Sequence, residues 1–256
     1  MDSINSILLG IIQGLTEFLP ISSSGHLVLG QHFLGIENSG ILLEVVLHLG
    51  TLFSILLYYR RDISELLQGI YKRDSESLHY MFMVAVSTIP AVVVGLLFKT
   101  QLESLFSPTI VPYMFLITGC VLLTTKYSSE STKSITLKIA ILVGCAQVFA
   151  MLPGISRSGM TISLALFLGI HRGTAAKFSF FMAIPVLFGA GILQLGDVSE
   201  MPLLIWPLFL GFLSAFISGY VIIQWLINLI SNQDFWKFSY YCIFAGLICI
   251  LMGVGS

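Results

Sequence analysis

The chain has 256 residues, 56% of them hydrophobic and 10% charged, with a formal net charge of −1. A soluble domain carries roughly 25% charged residues, so this composition excludes a water-covered globule and a disordered protein. The missing basic excess excludes a nucleic-acid binder, and a mean hydropathy of +0.95 leaves a polytopic helical membrane protein.

The opening segment MDSINSILLG lacks the positive region and small-residue cleavage site of a secretory signal, so the first apolar stretch is expected to be retained. That stretch, residues 4–36, is interrupted by Pro20 and the run Ser22-Ser23-Ser24. Each arm is shorter than the ~20 residues a span needs, which predicts a re-entrant helical hairpin. Charge-poor runs at 41–59, 80–98 and 109–125 predict three transmembrane helices. The polar stretch 60–79 reads as an amphipathic cytoplasmic connector. A second interrupted stretch, 139–170, is broken at Pro153-Gly154 and Ser156-Arg157-Ser158 and predicts a second hairpin. Runs at 178–196, 207–230 and 238–254 predict three more spans. The glycines scattered through the spans suit close helix packing. Cys120, Cys145, Cys242 and Cys249 form no C-x-x-C pair and read as small buried hydrophobes.

The cations test this topology. With both hairpins re-entrant, one face carries Arg60, Arg61, Lys72, Arg73, Lys126, Lys133, Lys138, Arg172, Lys177 and Lys237, and the other carries Lys99. The rich face is cytoplasmic by the positive-inside rule, which places both termini outside the cell membrane. Residues 7–36 also align without gaps to residues 141–170 at a constant offset of 134, with identities at 12 of 30 positions. The chain therefore reads as a single membrane domain of two repeats, 1–126 and 135–256, each a hairpin plus three spans. An odd number of spans inverts the second repeat, so the hairpin tips meet near the midplane. Irregular backbone at that depth needs a polar surrounding.

Ionisable groups at that depth are functional candidates. Gln13 and Glu17 share a helix face, and Glu17 lies near a helix C-terminus, where its charge calls for a metal ion, Arg157 or His26. Ser22, Ser23 and Ser24, and likewise Ser156 and Ser158, either cap the half-helices that follow or leave free N–H groups as an anion site. Arg157 offers a planar cation for bidentate phosphate contact. Its repeat equivalent is Ser23. His26 lies one turn after Ser22 and Ser23, as base for a serine or as nucleophile itself. Glu44 and His48, four apart, suit a second layer around the cavity. His32, His79 and His171 receive no role.

Gln13-Gly-Leu-Thr-Glu17, Pro20-Ile-Ser22-Ser23-Ser24-Gly25-His26, Leu43-Glu44-Val45-Val46-Leu47-His48-Leu49-Gly50-Thr51 and Pro153-Gly-Ile-Ser156-Arg157-Ser158-Gly-Met-Thr161 resemble the motifs of the undecaprenyl-diphosphate phosphatase family, also called bacitracin-resistance proteins. The resemblance runs over most of the chain. It implies an integral membrane phosphatase that converts a C55 polyprenyl diphosphate to the monophosphate carrier of cell-wall and surface glycan synthesis. It implies six spans with two re-entrant hairpins, a site open to the extracytoplasmic side and help from a divalent cation, Mg²⁺ or Ca²⁺. Glu17, Ser22, Ser23, His26 and Arg157 are the implied catalytic set, with Glu17 as the metal ligand. Gln13, Ser24, Gly25, Ser156, Ser158, Thr161 and Glu44 are the expected substrate contacts. The family carries Glu or Gln at position 13, so Gln13 leaves one carboxylate there, and Glu44 is the candidate for a second. Ser23, His26 and water stay open as nucleophile. A lipid-phosphate transporter or flippase is the rival reading, since inverted repeats with broken helices serve transport too. Expected partners are the lipid substrate and the bilayer, with no nucleic acid, and a homodimer stays open.

Overall fold

A computed structural model describes residues 3–36, 41–128, 132–195 and 205–254. Among the described residues the chain forms twelve α-helices and no strand, apart from one isolated parallel bridge between Lys133 and Ile170. They are α1 (Ser3–Phe18), α2 (Ser23–Phe33), α3 (Ile41–Tyr58), α4 (Arg60–Tyr71), α5 (Ser75–Leu97), α6 (Lys99–Ser104) and α7 (Val111–Thr124) in the first half. The second half holds α8 (Leu137–Phe149), α9 (Arg157–Phe167), α10 (Arg172–Leu195), α11 (Ile205–Ser231) and α12 (Phe238–Leu251).

Both interrupted stretches break where the sequence predicts. α1 stops at Phe18 because Pro20 has no N–H to donate and biases the residue before it away from helical angles. α8 stops at Phe149, ahead of Pro153 and of Gly154, which adopts φ +96°. The expected spans fall on α3, α5, α7, α10, α11 and α12. Three of these are long and apolar enough to cross a membrane alone: Ser75–Leu97, Arg172–Leu193 and Ile205–Ser231. α3 joins them only together with α4, and the two are bent by 72°. The stretches Val111–Tyr127 and Phe235–Leu251 are shorter apolar helices extended by a 3₁₀ turn. The connector after α3 is more helical than expected. α4 has no buried residue and is tied to α10 by the Lys177–Asp62 ion pair. α5 starts at Ser75, earlier than the apolar run, because the Asp74 side chain caps it by accepting from Ser77 N–H.

Helix packing depends on missing side chains. α1 lies along α11, α3 along α11, α8 along α5 and α7 along α12. A Cβ on Gly10 would stand 2.5 Å from the Gly211 carbonyl oxygen of α11, and one on Gly144 would stand 2.4 Å from the Ser87 carbonyl oxygen of α5. Backbones this close gain dispersion contacts that lipid cannot offer. Among the described residues the largest apolar cluster includes Phe18, Tyr59, Phe178, Phe180 and Phe181. Of the cysteines, Cys242 and Cys249 are buried as expected, whereas Cys120 and Cys145 sit on the apolar outer surface.

Gly144→Ala is expected to lower the thermal midpoint in detergent, since overpacking costs about 1–3 kcal/mol. Gly189→Ala, whose new methyl would meet nothing within 4 Å, is expected to leave it unchanged or to raise it by helix propensity. Equal midpoints for the two variants would contradict this packing.

Candidate active site

The two breaks are built alike. Ser22 Oγ accepts from Gly25 N–H at 3.3 Å and Ser156 Oγ accepts from Gly159 N–H at 3.0 Å. Each satisfies a donor that a helix N-terminus leaves free. Each hydroxyl also lies 3.2 Å from the serine two places on, Ser24 and Ser158. Ser22 and Ser156 thus hold the tips as caps. Ser22 does so at φ 71°, ψ 102°, a conformation that strains a residue with a Cβ.

The tips touch each other. Gly154 N–H donates to Ser22 Oγ at 3.1 Å, and Ser158 Oγ donates to the Leu19 carbonyl at 3.1 Å. At Gly25 the tips come close: a Cβ there would stand 2.9 Å from Gly154 Cα and 2.6 Å from the Phe115 ring. From α7, Thr118 Oγ1 donates to the Gly154 carbonyl at 2.9 Å and accepts from Ser156 N–H at 3.2 Å. That hydroxyl satisfies both sides of the second break.

At this junction the buried Glu17 carboxylate gathers three donors. Arg157 Nη2 donates to Oε1 at 2.7 Å. Ser23 Oγ donates to Oε2 at 2.5 Å and Gln13 Nε2 to the same oxygen at 3.1 Å. The Glu17 and Arg157 side chains are 6% and 14% exposed, so water does little to screen the pair. Arg157 Nη1 also donates to the Ser179 carbonyl of α10 at 3.3 Å. Thr161 Oγ1 donates back to the Arg157 carbonyl at 2.8 Å and lies 2.7 Å from Ser179 Oγ. Thr161 and Ser179 therefore fix the arginine-bearing turn.

His26 is near but does not bond Ser23. Its Nδ1 lies 2.7 Å from the Ser22 carbonyl and its Nε2 lies 2.7 Å from the Tyr241 hydroxyl. Glu44 accepts from Gln31 Nε2 at 3.0 Å and has no direct bond to the Glu17 cluster. His48 directs its Nδ1 to the Glu44 carbonyl at 2.7 Å. Of the residues singled out in the sequence, the structure brings Gln13, Glu17, Ser22, Ser23, Ser24, Gly25, His26, Ser156, Arg157, Ser158 and Thr161 to one junction and leaves Glu44 apart from it. Sequence reading names the first set. It misses Thr118, Ser179 and Tyr241. Thr118 and Ser179 were signalled only as polar residues inside apolar runs, and Tyr241 only by three-dimensional proximity.

The fit to a divalent cation is partial. Among the described residues no group of three His, Cys, Asp or Glu side chains could hold a metal. Glu17, Ser23 and the unpartnered, buried Gln13 Oε1 are hard oxygen donors with a single formal charge. Such a set suits an ion that takes its remaining ligands from water and substrate phosphate.

Ser22→Ala removes the acceptor of two buried N–H groups and is expected to cost about 2–3 kcal/mol in a reversible unfolding measurement in mixed micelles. Ser24→Ala loses only the contact to Ser22 Oγ and is expected to cost less than about 1 kcal/mol. Equal losses would contradict the capping geometry.

Comparison with known proteins adds to this geometry. The family model described as "Bacitracin resistance protein BacA" matches residues 6–248. A protein of Christiangramia forsetii named undecaprenyl-diphosphatase is 41% identical, over 98% of this chain and 98% of its own length. Proteins of the same name from Thermotoga maritima and Methanobrevibacter smithii are 43% and 40% identical, over 96% and 99% of this chain and 99% and 98% of their own. With a matched region that takes in both broken helices and the carboxylate, serine and arginine at their junction, this chain belongs to the bacitracin resistance protein BacA family.

Proposed function

We propose that this chain is a membrane phosphatase that hydrolyses undecaprenyl diphosphate to the monophosphate and inorganic phosphate. The relatives' shared name supports the substrate. The regenerated carrier would serve cell-wall and surface glycan synthesis and confer bacitracin resistance. The single observation that carries the chemistry is the Ser23 hydroxyl at 2.5 Å from a carboxylate whose other oxygen holds a guanidinium. A transport site needs the cation but has no use for a hydroxyl poised on a base.

The proposed arrangement in the bilayer is six spans (α3, α5, α7, α10, α11 and α12) and two re-entrant hairpins (α1–α2 and α8–α9). Both termini are extracytoplasmic, in the plasma or inner membrane. Ten cations on one face support the orientation. The halves 1–126 and 135–256 form an inverted repeat in this reading. Its support is that Ser22 and Ser156, the caps, and Gly10 and Gly144, the close-packed glycines, stand at the same offset of 134. The diphosphate head then enters the polar junction while the prenyl chain stays in lipid.

The reaction is phosphoryl transfer, in which positioning and charge neutralisation supply most of the catalysis. Arg157 shifts from Glu17 to the terminal phosphate and neutralises its oxygens. Glu17, freed of its cation, takes the Ser23 proton. Ser23 Oγ attacks the terminal phosphorus, and the anhydride P–O bond breaks with its electron pair leaving on the lipid monophosphate. Glu17 passes the Ser23 proton to the departing monophosphate, and water then attacks the phosphoserine, giving a proton to Glu17, which returns it to Ser23 Oγ as inorganic phosphate departs. Glu17 and Gln13 would hold a divalent cation such as Mg²⁺ or Ca²⁺, which would supply further charge neutralisation.

Phosphate release from a polyprenyl diphosphate by the purified protein in detergent tests this reading. Glu17→Gln and Ser23→Ala are each expected to slow release at least about 100-fold. Turnover near wild type in Glu17→Gln would refute the assignment. Turnover retained in Ser23→Ala alone would move the attack from Ser23 to a water on Glu17.

A further inference from the structure

His26 is an ionisable group at the junction that meets two elements outside the tips, α7 and α12. A carbonyl oxygen can only accept, so the 2.7 Å contact from His26 Nδ1 to the Ser22 carbonyl fixes the proton on Nδ1. In the neutral ring Nε2 is then an acceptor, and the group 2.7 Å away is the Tyr241 hydroxyl of α12. The two ring planes are nearly parallel, at 15° with centroids 5.7 Å apart. Phe115 of α7 packs on the imidazole at 5.0 Å. His26 is thus held at one edge by its own helix turn, at the other by α12, and on a face by α7. Ser23 takes no part, since its hydroxyl is spent on Glu17.

We infer that Tyr241 is a positioning residue for this site, holding the His26 imidazole where it meets the diphosphate. The inference rests on the phosphatase reading above and deepens it. A phenol hydroxyl both donates and accepts. It donates to Nε2 of the neutral ring and accepts from N–H of the imidazolium. A diphosphate entering beside His26 changes the charge the ring experiences, and a contact that survives proton uptake keeps the ring in place through the cycle. Tyr241 keeps about half of its surface exposed beside α2. A phenylalanine there keeps the ring packing and loses only the hydroxyl.

The test compares wild type, Tyr241→Phe, His26→Gln and the double variant in the phosphate-release assay. Tyr241→Phe is expected to lower kcat about tenfold, the worth of one hydrogen bond, with KM little changed. The double variant is expected to be no slower than His26→Gln, because Tyr241 acts through His26. Losses that multiply, or full kcat in Tyr241→Phe, would overturn the inference. A second readout needs no turnover. In protein labelled with ¹⁵N-histidine, the five histidines are compared, with His26 assigned by its absence in His26→Gln. The Nε2 resonance of His26 is expected to move in Tyr241→Phe, and an unmoved resonance would overturn the inference. A wild type that released no phosphate would sink the phosphatase reading and leave the resonance to decide the contact.

Discussion

Two broken helices bring backbone ends and charge into a buried junction where water can repair neither. The Glu17–Arg157 pair is the interaction around which that problem is solved. Glu17 ends one half-helix, where the dipole opposes a negative charge, and Arg157 begins another, where it opposes a positive one. Each side chain is badly placed on its own helix and well placed against the other. Removing one partner of such a pair leaves a buried charge uncompensated, at about 3–5 kcal/mol. Ser22 and Thr118 solve the backbone half of the same problem by bonding the orphaned groups of both tips. The strain at Ser22 is tolerated because its hydroxyl serves both tips at once.

The chemistry arises where the likeness between the halves fails. At the offset of 134, Ser22, Ser24 and Gly25 face Ser156, Ser158 and Gly159, and those residues build the same cap twice. Glu17 faces Met151, Ser23 faces Arg157 and His26 faces Met160. One half supplies the carboxylate, hydroxyl and imidazole, and the other supplies the cation that a phosphate needs. Gln13 and Gln147 mark the same divergence. Gln13 bonds Glu17, while both amide atoms of Gln147 are buried without a partner. An unpaired buried polar group costs about 1–3 kcal/mol, and the second half carries it where Met151 stands at the position of Glu17.

Much of this was legible in the residues. Hydropathy and charge marked the six apolar runs, and Pro20, Pro153 and the serines marked the breaks, because a bilayer punishes exposed backbone and charge severely. The pairing of Glu17 with Arg157 was one of three compensations the residues offered, beside a metal ion and His26. The role of each serine was less legible. Ser22, Ser23 and Ser24 are alike in sequence, and only the turn geometry turns Ser22 into the cap and sends Ser23 to Glu17. The His26–Tyr241 contact and the Ser179 carbonyl on Arg157 join residues 215 and 22 positions apart, and no local pattern foretells them. The bend between α3 and α4 and the early start of α5 were hidden because polar helices carry no hydropathy signal.

The most direct measurement is a double-mutant cycle on the ion pair by reversible unfolding in mixed micelles. Wild type, Glu17→Gln, Arg157→Gln and the double variant give the coupling energy between the tips. The account predicts a favourable coupling of at least about 1 kcal/mol, with the double variant more stable than the sum of the single losses allows. Strictly additive losses would mean that the carboxylate and the guanidinium do not meet, and the junction would have no charge pair for a diphosphate to divide.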